Sequence, residues 1–312
     1  MSETGSATFV GIDIGGSTMR LAIVDAFGRV QSDRQAPTPR DDGDALINWL
    51  EEAYGICRGE IDAAEDPSAV GVGVPGILDP TRSTVLHAVN VPSVVGLPLR
   101  DMLVERTGLK TVMDSDAVAA AWGEFCVRQR QTKRFGYLTI GTGIGAAVIL
   151  DGQVMRHTHG SAGHLGHLPC DTSADARRCA CGATGCLEAY VAGPALNIAA
   201  EAAGFAEGLN QVEPAFQEGD AAAAELIEWA ARYLSIGMIT VAHIYAIELL
   251  VAGGGVTGAC PSLIRRAASI AADSDSTLIP QGMAVQLAGL GDCAGVVGAA
   301  LLAADAFGQR DG

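Results

Sequence analysis

The run from His167 to Cys186, HLPCDTSADARRCACGATGC, constrains this chain more than any other. It holds one imidazole, then eleven residues, then Cys179-x-Cys181, four residues and Cys186. Three soft sulfurs and one imidazole are the donor set of a closed tetrahedral zinc site. Gly182 and Gly185 permit the tight turns that gather three sulfurs around one ion. A catalytic zinc keeps one position for water, and four protein ligands leave none. The expected metal is therefore structural zinc on His167, Cys179, Cys181 and Cys186. The competing reading is a set of buried thiols beside a histidine.

A chain of 312 residues can form two lobes sharing a cleft. With 49% hydrophobic and 18% charged residues, it reads as well cored and not disordered. The net charge of −16 argues against a broad nucleic-acid surface. It does not exclude an anionic nucleotide, because backbone amides and magnesium handle phosphate locally. Eight cysteines could make four disulfides, but the C-x-C spacing and a start, MSETGSATF, without a basic or apolar leader point to a reducing cytoplasm. The apolar stretch Leu234 to Val256 contains His243 and Glu248 and runs into Gly253-Gly254-Gly255, which favours a buried helix followed by a strand over a membrane span.

Residues 9–25, FVGIDIGGSTMRLAIVD, read as two strands joined by the turn Gly15-Gly16-Ser17-Thr18. Residues 137–150, YLTIGTGIGAAVIL, repeat that design and suggest an internal duplication. Helices are expected at Gly43 to Ala53, Asp114 to Arg130 and Ala221 to His243, and Asp171 to Ala176 reads as a surface loop. Strands alternating with helices make this an α/β chain.

Asp13 with Gly15, Gly16, Ser17 and Thr18 could bind phosphate, with Asp13 holding magnesium through water, or could simply be a hairpin. The second turn, Gly141-Thr142-Gly143-Ile144-Gly145, favours phosphate, since two such turns can grip a polyphosphate from both sides. Neither is a Walker A loop or a Rossmann fingerprint. A third cluster, LLVAGGGVT at residues 249–257, reads as a strand-to-helix turn before a helix at Pro261. From pattern alone, an aspartate within Asp114-Ser115-Asp116-Ala117-Val118 reads as a helix cap.

Taken with Gly163-His164-Leu165-Gly166-His167 and Cys179 through Glu188, these motifs resemble the ROK family of repressors and sugar kinases. The resemblance runs from Gly11 to about Ala304. It implies a two-lobed actin-like ATPase (ribonuclease H-like) α/β fold with a cleft and a structural zinc site. The implied division is a small lobe of residues 1–115 and a large lobe of residues 116–292 carrying the zinc segment. A C-terminal helix, about 293–312, would pack back on the small lobe. ATP with magnesium would lie between the two glycine turns, with Gly254 and Gly255 near the adenosine. The family's N-D-A-N motif places its base at Asp116, with Ser115 at a sugar-binding asparagine. Asn90, His164, His167 and Glu188 fall at sugar-contact positions. The late segment GLGDCAGVVGAALLA resembles the family's closing helix, with Asp292 left without a role.

Five positions depart from the family: Ser17 conservatively replaces a threonine, Thr18 replaces a lysine, Ser115 and Val118 replace asparagines, and His164 replaces a glutamate. A neutral imidazole offers one donor and one acceptor, so it cannot accept two hydroxyls as a carboxylate does. That argues against unmodified glucose as the best acceptor. The expectation is an ATP-dependent kinase of a hexose or hexose-like polyol. Candidate acceptors are N-acetylated hexosamines, allose-like epimers, fructose or mannose, and cyclitols. The alternative is a sugar-binding sensor that has lost catalysis. Family repressors carry an N-terminal helix-turn-helix; here the phosphate motif begins near residue 9, so none is expected. The resemblance further implies a homodimer or homotetramer in the cytoplasm, with no nucleic-acid or membrane partner.

Overall fold

The computed structural model describes residues 7–157, 160–161, 163–273 and 283–308. Residues 1–6, part of the start that is expected to carry no leader, and 309–312, the end of the expected C-terminal helix, lie outside the described residues. The chain divides into two compact units, Met1–Gln131 with Val154–Ala162 and Cys293–Gly312, and Thr132–Gln153 with Gly163–Asp292.

In the first unit β1 (Thr8–Ile14), β2 (Thr18–Asp25) and β3 (Val30–Pro37) form an antiparallel meander, followed by helix α1 (Gly43–Gly59). Next come β4 (Ala69–Val74), the short pair β5 (Ile77–Leu78) and β6 (Val85–His87), helix α2 (Leu99–Thr107), β7 (Lys110–Ser115) and helix α3 (Asp116–Val127). The sheet order is β3-β2-β1-β4-β7, with β1, β4 and β7 parallel.

The pleat sorts residues by face. Val10, Ile12, Ile14, Val70, Val72 and Val74 join one core with Leu46, Ile47 and Leu50 of α1. Gly11, Asp13, Gly71 and Gly73 alternate with them and form the other face. That face lies against α3 and the closing helix α10 (Ala294–Phe307). A Cβ at Gly11 would strike Val296 O, and one at Gly71 would strike Ala299 O, so the glycines let helix backbone reach the sheet. Asp13 is the polar member of this face.

The expected boundary at residues 115 and 116 is displaced. The first continuous unit runs to Gln131 and keeps α3. Nearly the whole of α3 from Ala117 to Phe125 is buried, Trp122 Nε1 donates to Leu301 O at 3.2 Å, and Gly298 meets Ala119 O. Moving α3 to the other unit would expose that surface.

The second unit opens with β8 (Arg134–Ile140) and β9 (Ile144–Leu150), then β10 (Gln153–Val154). The chain then visits the first unit through the small pair β11 (Arg156–His157) and β12 (Gly160–Ser161). It continues through the zinc-type segment to α4 (Glu188–Val191), α5 (Gly193–Ala202), α6 (Leu209–Gln217) and α7 (Ala221–Tyr245). β13 (Leu249–Gly253), α8 (Gly255–Ala259), α9 (Pro261–Ala272) and β14 (Ala284–Leu287) complete it. The order β10-β9-β8-β13-β14 repeats the first sheet: each unit has a hairpin whose first strand is extended by two parallel strands. That shared topology is what an internal duplication leaves.

The stretch Leu234 to Val256 resolves into the end of α7, a left-handed stop at Ala246 (φ 51°) and β13. Among the described residues no helix is long and apolar enough to cross a membrane.

Candidate functional site

In the first unit the carboxylates Asp13 and Asp116 converge. β1 carries Asp13 on the glycine face, opposite Arg20 of β2, and α10 begins against it, so a Cβ on Gly295 would run into its carboxylate. A Cβ on Gly73 would lie 3.5 Å from Asp116 Cα and 3.8 Å from Asp13 Oδ1. The Asp13 carboxylate and the Asp116 backbone thus border the same glycine, and the two carboxylates lie near enough to repel. Arg20 also pairs with Asp33 at 3.0 Å and donates to Cys293 Sγ at 3.1 Å.

Ser115 caps α3: its Oγ accepts the Val118 N–H at 3.2 Å. The cap that the sequence pattern would assign to an aspartate is therefore supplied by a serine. Asp116 Oδ1 instead accepts the Ala117 N–H at 2.7 Å. Burial raises the Asp116 carboxyl, against the pull of that backbone hydrogen bond.

Burial pushes the Asp13 carboxyl up to about 7; Asp116 adds to the rise and Arg20 opposes it. A carboxyl with a higher pKa folded than unfolded binds its proton more tightly in the folded state. In magnesium-free protein its contribution to stability therefore falls as pH rises from about 4 to about 7. Asp13→Asn is expected to remove that slope and to raise Tm by ~5 °C at pH 8, with little gain at pH 4. Thermal melts at the two pH values check this, and a variant no more stable than wild type at pH 8 contradicts the desolvated carboxylate.

The first glycine turn is pinned by Thr38. Gly15 N–H donates to Thr18 O at 3.0 Å, Thr38 N–H to Ser17 O at 3.0 Å, and Thr38 Oγ1 to Gly15 O at 2.7 Å. Ser17 and Thr18 stay exposed. Asn90 sits beside this turn, its Cβ 3.1 Å from where a Gly16 Cβ would be, and Arg40 Nε donates to its carbonyl at 2.8 Å.

In the second unit the ligand atoms of His167, Cys179, Cys181 and Cys186 lie within 4.8 Å of one another. His167 Nδ1 is 3.7 Å from Cys179 Sγ, and the Cys181 and Cys186 sulfurs are 3.8 Å apart. Zn–S bonds of about 2.3 Å at tetrahedral angles require sulfurs roughly 3.8 Å apart, so the donors fit zinc. All eight cysteines are free, which removes the four-disulfide alternative. Burial and the neighbouring sulfurs push the Cys186 thiol up to about 12. A divalent cation reverses that tendency, because it binds thiolates.

The loop before these cysteines is fastened to α7. Tyr190 stacks on Tyr233 with ring centroids 4.2 Å apart, and its hydroxyl donates to Asp171 at 2.5 Å. The Arg177 guanidinium lies over Tyr190 at 5.1 Å and Trp229 at 4.9 Å. His164 is exposed, with its ring 6.3 Å from that of His167 and tilted by 23°.

The second glycine turn is closed by Gly141 N–H on Gly143 O at 2.9 Å, which encloses Thr142, and Gly145 follows in β9. Gly193 N–H donates to Gly141 O at 2.7 Å, and Ile144 N–H donates to Glu188 Oε2 at 2.9 Å. Glu188 Oε1 is 3.8 Å from Cys179 Sγ. The residue expected as a sugar contact thus touches both the turn and a cysteine of the cluster. Gly254 (φ 91°) abuts Ile140 O, so the turn from β13 to Gly255 lies beside this glycine turn.

Arg156 and Arg82 were not foreseen. Arg156 Nε donates to buried Asp114 Oδ2 at 2.7 Å, and Arg82 Nη1 stands 3.7 Å from the same oxygen. They neutralise a carboxylate two residues before Asp116. No local spacing announces this, since Arg156 arrives from a distant hairpin.

The ROK family model matches residues 9–306. A glucokinase of Halalkalibacterium halodurans is 30% identical, covering 93% of this chain and 93% of the relative. An N-acetylmannosamine kinase of Escherichia coli is 28% identical, covering 80% of this chain and 83% of the relative. A solved ROK family glucokinase from Streptomyces griseus, in complex with glucose and AMPPNP, has a TM-score of 0.80 at 28% identity and covers 96% of this chain and 100% of that one. With a match over nearly its whole length and the actin-like ATPase fold of these neighbours, the chain belongs to the ROK family.

Proposed function

We propose that this chain transfers the γ-phosphoryl group of ATP to a hydroxyl of a hexose or hexose-like polyol, with Asp116 as general base. The enzyme class, ATP-dependent sugar kinase, is that of the glucokinase and N-acetylmannosamine kinase relatives. The observation that carries the residue assignment is the pairing of Asp116 with Asp13 after Ser115 has taken the cap of α3. A half-buried carboxylate that leaves the cap to Ser115 is suited to accept the hydroxyl proton, and Asp13 is suited to hold magnesium through water. Little covalent work is asked of the protein in phosphoryl transfer; positioning and charge neutralisation supply most of the acceleration. In the first unit the turn at Gly15 to Thr18, and in the second the turn at Gly141 to Gly145 with Gly254 and Gly255, are each assigned to the nucleotide.

His167, Cys179, Cys181 and Cys186 would hold zinc, which would supply rigidity to the segment and a fixed orientation to the His167 ring. Because His167 Nδ1 faces Cys179, its Nε2 is left to meet a hydroxyl. Asn90, Ser115, His164 and Glu188 complete the proposed acceptor site. Sugar-dependent ADP release, screened over hexoses, N-acetylhexosamines and cyclitols with magnesium, tests the whole reading.

A sensor that binds sugar without phosphorylating it is the second reading. It is favoured by Ser115 being committed to the helix cap and by Val118 being buried. ADP release that no sugar stimulates would establish it.

His164→Glu is expected to shift specificity toward glucose and away from the preferred acceptor. A carboxylate accepts two hydroxyls, whereas an imidazole also donates. The change in relative kcat/KM is expected to correspond to about 1–3 kcal/mol. Efficient wild-type turnover of glucose, unchanged in the variant, would show that His164 does not read the acceptor.

A further inference from the structure

We propose that Glu188 is a positioning residue that couples the four-ligand cluster to the second glycine turn, so that filling the metal site sets nucleotide affinity before any sugar binds. The inference rests on the reading of the Gly141 to Gly145 turn as a phosphate site.

The geometry lies entirely within the second unit. Cys186 is followed at once by Leu187 and then Glu188, the first residue of the single-turn helix α4, and Gly193 stands just beyond that helix. This short bracket holds the turn at both ends. Gly193 N–H holds the Gly141 carbonyl at 2.7 Å, and Glu188 Oε2 takes the Ile144 N–H at 2.9 Å.

Glu188 has little room to do otherwise. A Cβ on Gly143 would come within 2.6 Å of Oε2 and one on Gly166 within 3.1 Å. Glycines at these two positions let the carboxylate lie flat against the turn. Its other oxygen faces Cys179 Sγ at 3.8 Å. One carboxylate therefore spans from a metal ligand to the backbone that closes the turn. Cys186, two residues before Glu188, is fixed when the metal is bound, and the backbone carries that position to the carboxylate held on the Ile144 N–H. Ile144 is buried, so its N–H depends on this acceptor in place of water.

A glutamate that only contacts sugar would leave two properties unmoved in sugar-free protein: exchange of the Ile144 amide and affinity for nucleotide. Both are measured in wild type, in wild type stripped of zinc by a chelator, in Glu188→Ala and in Glu188→Gln. Hydrogen exchange of the segment 141–150 and titration with magnesium–AMPPNP are the readouts, with zinc content determined for each protein. Chelation and Glu188→Ala are expected to unprotect Ile144 and to weaken nucleotide binding about tenfold, the loss of one hydrogen bond. Glu188→Gln keeps an acceptor and is expected to stay near wild type, which guards against a merely misfolded alanine variant.

Wild-type protection of Ile144 in zinc-loaded Glu188→Ala overturns the coupling. Thr142→Val probes the turn separately. If it and Glu188→Ala both leave nucleotide affinity unchanged while Ile144 loses protection, the turn is not the phosphate site and the nucleotide coupling falls with it.

Discussion

Asp116→Asn is expected to lower kcat by about a hundredfold or more while leaving sugar and nucleotide affinities within a few-fold of wild type. The substitution is close to isosteric. The amide oxygen can still accept the Ala117 N–H, and Ser115 continues to cap α3 through Val118. The fold therefore has no reason to change. What disappears is a group able to take a proton from the acceptor hydroxyl. Removing this half-buried charge also relieves Asp13, whose carboxyl Asp116 helps to raise. The variant should consequently be no less stable than wild type, and a melt alongside the kinetics separates lost chemistry from lost folding. Near-normal turnover would make Asp116 only a first-turn helix acid and would require another base.

The parts of the fold that were legible in the sequence are those with short-range cause. Alternation of valine and isoleucine with glycine in FVGIDI identified β1, and the glycine turn after it identified the hairpin. The same pattern recurred at YLTIGTGIGAAVIL, and the two sheets proved to share one topology. Element ends were read less well. Helix α1 continues past Ala53 to Gly59, because Cys57 is buried on its inner face. Helix α3 begins at Asp116 and not at Asp114, because Asp114 and Ser115 belong to β7, paired with Gly73 and Val74. The boundary between units moved for a tertiary reason, the burial of α3 against α10.

The candidate site shows the same division. The cluster of His167 with three cysteines follows from spacing alone, since eleven residues of loop are ample to return a thiol to an imidazole. The neighbourhood of Asp13 and Asp116 depends on β1 and β4 lying side by side, with Gly73 bordering both residues. Asp114 with Arg156, and Glu188 with Ile144, are separated by 42 and 44 residues respectively. Neither partner can be chosen from sequence when any nearby charge or amide would serve.

The second large effect concerns the metal. Purified protein is expected to contain about one zinc per chain, and Cys181→Ser is expected to lower Tm by ~10 °C or more, because a closed structural site contributes its binding free energy to folding. Cys181 is the informative choice among the three thiols. It is exposed, whereas Cys179 and Cys186 are buried, so exchanging its sulfur for oxygen creates no cavity. A fall in Tm then reports the ion and not the packing. Wild type treated with a strong chelator should melt where Cys181→Ser melts, and the chelator should move the variant no further. Activity should fall in step, because the same segment carries His164, His167 and Glu188. The stacked Tyr190 and Tyr233 and the Arg177 guanidinium over Trp229 lie outside the ligand set. They should keep part of the loop in place, so the second unit is expected to melt at a lower temperature, not to be unfolded from the start. Protein free of zinc that melts with wild-type Tm, and whose melting Cys181→Ser leaves unchanged, would show that the four side chains are a packed thiol cluster after all.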